Sequence, residues 1–67
     1  MEYSREELQE AARQIESTLH KLRETVKTLE GKAEPKRYRS QITLAKRRIA
    51  AFALALDLLE KELGQMP

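Results

Sequence analysis

The chain has 67 residues, 36% of them charged and 4% aromatic, with 13 basic and 11 acidic side chains for a net charge of +2. That length holds one domain (1–67) at most, and so short a chain struggles to offset an ordering cost of roughly 1.5 kcal/mol per residue. With no cysteine and one histidine, disulfides, thiolate metal sites and a zinc site are excluded as supports, which leaves self-association.

Many charges and few aromatics are the composition of helical bundles and coiled coils rather than of sheets. The longest apolar run, 49–56, is eight residues, far below the roughly 20 that span a bilayer. The first ten residues, MEYSREELQE, are acidic where a signal peptide is basic and then apolar. The expectation is a soluble, cytoplasmic protein with no membrane segment.

The first helix is predicted from about residue 5 to 30. Ser4 and Glu7 have the S-x-x-E spacing of a capping box, with Tyr3 and Leu8 placed as its hydrophobic staple. Glu6, Glu7 and Glu10 complement the positive end of the helix dipole. Leu8, Ala12, Ile15, Leu19, Leu22, Val26 and Leu29 then recur at alternating spacings of 4 and 3, a heptad stripe that faces a partner helix. Ala11, Thr18 and Thr25, seven apart, form a row of small residues beside it. Gly31 is expected to end the helix in the left-handed conformation.

Residues 31–34 form the turn, and Pro35 suits the first position of a second helix, where its missing N–H costs nothing. That helix is predicted over about 35–63, stopped by Gly64 and Pro67. Its stripe is Tyr38, Ile42, Ala45, Ile49, Phe52, Leu56, Leu59 and Leu63. A short connection makes the two helices antiparallel neighbours. Folding back about residue 32 would face Val26 with Tyr38, Leu19 with Ala45, Ala12 with Phe52 and Leu8 with Leu56.

The fold expected is therefore all-α, an antiparallel two-helix hairpin. Two helices share one seam, yet the second carries a further apolar strip of Leu44, Ala51, Leu54, Ala55 and Leu58. Surface of that kind normally marks an interface. Pairing two hairpins into an antiparallel four-helix bundle would cover it, with Ala11, Thr18 and Thr25 as the small strip of the first helix. Residues 21–48 hold ten basic and three acidic side chains, a net of +7, and the remainder carry −5. An antiparallel dimer sets these opposites against each other. In heptads, length and turn the architecture resembles the small plasmid-encoded RNA-binding repressor of primer, which implies such a bundle. No motif is shared, and no binding residue carries over.

A second class of function is written in Lys36, Arg37 and Arg39 around Tyr38, followed by Lys46, Arg47 and Arg48. Cations with an interleaved aromatic suit phosphates and a stacked base, although the same cations would also serve dimer pairing. Catalysis is not expected. His20 lies off the stripe with only Glu16 in reach, and Glu6 with Glu10 would need ligands from another helix to hold a divalent ion. Phosphate loops and nucleophile motifs are absent, so neither a cofactor nor a small-molecule substrate is expected. The sequence thus reads as a non-enzymatic interaction module that self-associates or docks another protein's helix, with nucleic-acid binding as the alternative.

Overall fold

The computed structural model describes residues 2–67 as two helices and a tight connection. Helix α1 spans Arg5–Glu30, a 3₁₀ turn spans Pro35–Tyr38, and helix α2 spans Arg39–Gln65. The helices pack side by side as a rod of 51 × 16 × 15 Å.

The start of α1 follows from its first residues. Ser4 is extended (φ −75°, ψ 161°), its hydroxyl accepts from the Glu7 N–H at 3.1 Å, and its own N–H donates to Glu7 Oε1 at 3.0 Å. Both halves of the capping box are therefore made. Leu8 is buried while Tyr3 stays half exposed, and the two line the same depression at the open end.

Gly31 departs from expectation. It has φ −85° and ψ −1°, an ordinary right-handed conformation. The helix ends by tightening instead. Gly31 N–H still makes the α-helical bond to Lys27 O at 3.0 Å, and Lys32 N–H then donates to Leu29 O at 3.3 Å, the shortened bond with which many helices close.

The second helix also differs at both ends from the predicted 35–63. Pro35 opens a 3₁₀ turn, with Glu34 offering no side-chain cap and Arg37 N–H closing on Glu34 O at 3.1 Å. The α-helical bonds begin at Arg39. At the far end the helix runs through Gly64 to Gln65, because an exposed glycine near a terminus weakens a helix without breaking it.

Both predicted stripes are the inner faces. Leu8, Leu19, Val26 and Leu29 of α1 and Ala45 of α2 are buried, Leu19 most deeply at 2% exposure. All other members of the two stripes are half-buried.

The pairing between the stripes is shifted by one heptad from the expected one. Arg5 Nη2 donates to the main-chain oxygens of Met66 at 3.1 Å and Pro67 at 2.9 Å, and Lys46 Nζ bridges to Glu30 at 2.9 Å. A depression joins Leu8 and Ala11 to Leu59. A fold-back about residue 32 would leave Lys46 roughly 18 Å along the axis from Glu30. The contacts instead centre the reversal between residues 35 and 36, opposing Leu19 to Phe52, Val26 to Ala45 and Leu29 to Ile42. The turn is longer than 31–34 because the 3₁₀ segment belongs to it.

Candidate interaction surface

Helix α2 is apolar beyond its seam. Leu44, Leu54 and Leu58 are exposed at 46%, 63% and 58%. Ala51 is exposed beside them, and Ala55 is half-buried on the side nearer the seam. At 3.6 residues per turn, Leu44, Ala51 and Leu58 form one row about 130° round the helix from its seam, with Leu54 farther round still. The strip therefore faces away from α1 instead of lying in a groove between the helices.

The small row of α1 is placed differently. Ala11 is half-buried and Thr18 and Thr25 are exposed, about 70° from the α1 seam on the same broad side of the hairpin as the leucines. Thr25 Oγ1 donates to the Lys21 carbonyl at 2.9 Å, so its hydroxyl is satisfied locally.

The cations of the tip are divided between faces. Lys46 and Arg39 lie on the side where Lys46 meets Glu30, whereas Arg48 points to the opposite side, about 160–180° away, and Arg37, in the 3₁₀ turn, points about 120° from Arg39. Lys36 lines one depression together with Arg39 and Lys46, beside Glu30 and Ile42, and Arg47 points outward. Lys32 Nζ lies 5.8 Å from the centroid of the Tyr38 ring, within cation–π range, and Tyr38 is half-buried. One face of that ring is thereby occupied by the protein's own lysine. Among the described residues Arg37, Arg39, Arg47 and Arg48 form no salt bridge.

The acidic residues of α1 are engaged locally. Glu10 accepts from Arg13 at 2.6 Å and from Gln14 at 2.9 Å, and these partners, Gln14 foremost, hold its carboxyl below the usual carboxylate range. The Ser4 N–H, followed by the Ser4 hydroxyl, lowers Glu7 in the same way. A Glu6–Glu10 pair is thus not left open for a cation. Among the described residues no group of three or more His, Asp or Glu side chains is placed to hold a metal ion, and His20 is exposed without an ion pair to Glu16.

Two contacts escaped the sequence reading, the Arg5 clasp on the chain's last residues and the Lys46–Glu30 bridge. Main-chain acceptors leave no mark in a sequence, and the bridge becomes visible only once the heptad pairing is known. No helix is long and apolar enough to cross a membrane among the described residues. The chain matches no family model, no curated protein and no solved structure.

Proposed function

We propose that this hairpin is a non-enzymatic interaction module of the cytoplasm, which self-associates through the outer face of α2 into an antiparallel four-helix dimer and docks helical partners there. The observation that supports this is the exposure of Leu44, Leu54 and Leu58 on one helix, amid alanines that let another backbone approach. Fully burying a leucine is worth about 1.5–3 kcal/mol, and the hairpin leaves three of them wet. A core of five buried residues is small for a 67-residue chain, so covering the strip adds stability that a single seam lacks.

Leu54→Glu tests the reading. It places a charge on the strip without touching the seam, and it should abolish association measured by light scattering while circular dichroism still reports two helices. Unchanged association would reject the strip as the docking face.

Nucleic-acid binding through Lys36, Arg37, Arg39, Lys46, Arg47 and Arg48 is the second reading. It is favoured by Lys36, Arg39 and Lys46 around one depression and by four arginines that form no ion pair among the described residues. It is opposed by the placement of Arg37 and Arg48 away from that depression and by a net charge of only +2. It predicts an affinity that falls steeply with salt. A gel shift with mixed RNA and DNA that shows no complex at low salt would remove it.

A further inference from the structure

The geometry points to a second copy of this chain as the occupant of the strip, seated antiparallel so that α2 packs on its partner's α2 about a two-fold axis at Ala51. The inference rests on the reading of that strip as a docking face and adds its occupant, direction and register.

Leu44, Ala51 and Leu58 are seven residues apart on each side of Ala51, so the pattern large–small–large reads the same from either end. Such a row is self-complementary under a two-fold axis, the condition for an isologous contact in which one residue meets a second and the second meets the first. Laid antiparallel, Leu44 opposes the partner's Leu58 at both ends, and Ala51 opposes the partner's Ala51 at the centre. Two alanines at the crossing allow the axes to approach to about 8 Å, the close end of helix packing. Leu54 flanks the row on one side of the contact, the same side as the partner's Leu54.

Charge fixes the direction. Arg37 and Glu62 lie on the same face as the row, one beyond each end, and both are exposed. Among the described residues neither forms a salt bridge within its own chain. In the antiparallel register, with the longer rise of the 3₁₀ turn counted, Arg37 comes within about 5.5 Å along the axis of the partner's Glu62, so an ion pair closes each end. A parallel pairing would stack arginine on arginine and glutamate on glutamate. The same two-fold axis brings each tip, with its net +7, beside the partner's open end at −5.

Because the row faces away from α1, the two α2 helices form the centre of the dimer and the two α1 helices its flanks. The four helices form a curved row rather than a square. Ala11, Thr18 and Thr25 remain outside the contact.

Single cysteines test this directly, since the chain has none of its own. Disulfides need Cα atoms roughly 4.4–6.8 Å apart. Under mild oxidation Ala51→Cys should give a band of twice the chain mass. Leu44→Cys alone should not, because its two copies lie about 21 Å apart along the axis. A mixture of Leu44→Cys and Leu58→Cys should restore the band. Circular dichroism checks that each variant keeps its helices, and light scattering of the unmodified chain runs in parallel. A dimer whose Ala51→Cys form does not cross-link, or in which Leu44→Cys links to itself, overturns the register and leaves the docking face standing. A chain that stays at 7.8 kDa at every concentration overturns both.

Discussion

Ser4 carries more of the fold than its size suggests. It satisfies two main-chain groups at the start of α1, directly and through Glu7, and caps of this kind are worth about 1 kcal/mol. Ser4→Ala should lower the unfolding free energy by that order in urea denaturation. It should return the Glu7 carboxyl only part of the way toward its ordinary pKa in an NMR titration, since the residue-4 N–H that lowers it most is kept. The sign of the pH dependence follows. With the folded pKa values of Glu7 and Glu10 lowered, their contribution is complete above the ordinary glutamate pKa. It is lost as pH falls through the lowered values, so acid should fray the first turns of α1 before the middle. At the other extreme of burial, Leu19 is the best-covered side chain. Leu19→Ala should cost about 2–5 kcal/mol, comparable to the roughly 3–5 kcal/mol a core of this size supplies. Thermal melting of that variant should show little cooperative transition.

Within each element, the seams were legible to the residue. Every stripe position from Leu8 to Leu29 and from Tyr38 to Leu63 is buried or half-buried, because a heptad leaves no freedom about which face turns inward. The pairing of the two stripes was not legible, and the reason is the same repeat. Sliding one stripe by seven residues presents an identical pattern, so only the length of the turn decides between registers. That length depended on Pro35–Tyr38 forming a 3₁₀ turn, for which periodicity gives no signal. The glycines make the same point. Gly31→Ala meets no left-handed backbone, but its new Cβ would approach the Lys27 carbonyl to 3.3 Å, so the entropic gain and the crowding should nearly cancel. Gly64 is helical, and an added methyl there would meet nothing within 4 Å. Gly64→Ala should therefore stabilise α2 by up to about 1 kcal/mol, read as a higher melting temperature. The candidate surface was legible as a composition, since leucines and alanines off the seam are plain in the sequence. Its orientation follows from the same periodicity, which sets the row about 130° from the seam, and the observed exposure of Leu44 and Leu58 agrees.

At the scale of the whole rod, charge is arranged against the helix that bears it. Helix α2 has no acidic residue in its first turn and no basic residue in its last, with arginines and lysines crowded toward its start. Each misplaced charge costs about 0.3–1 kcal/mol at low salt. The ion pairs among the described residues do not account for the arrangement, since all four are exposed and such pairs are worth about 0–1 kcal/mol each. Antiparallel pairing of two rods gives the asymmetry a use, by setting each basic tip beside an acidic end. The electrostatic part of that pairing is screened over about 10 Å at 0.1 M salt, so the dimer should weaken as salt rises while the apolar strip keeps it from dissociating entirely. Light scattering of the unmodified chain from micromolar to millimolar concentration, at low and high salt, tests the central claim. The mass should rise with concentration to twice 7.8 kDa, with a midpoint that moves to higher concentration as salt is added. A cooperatively melting chain that keeps its single mass throughout would contradict it.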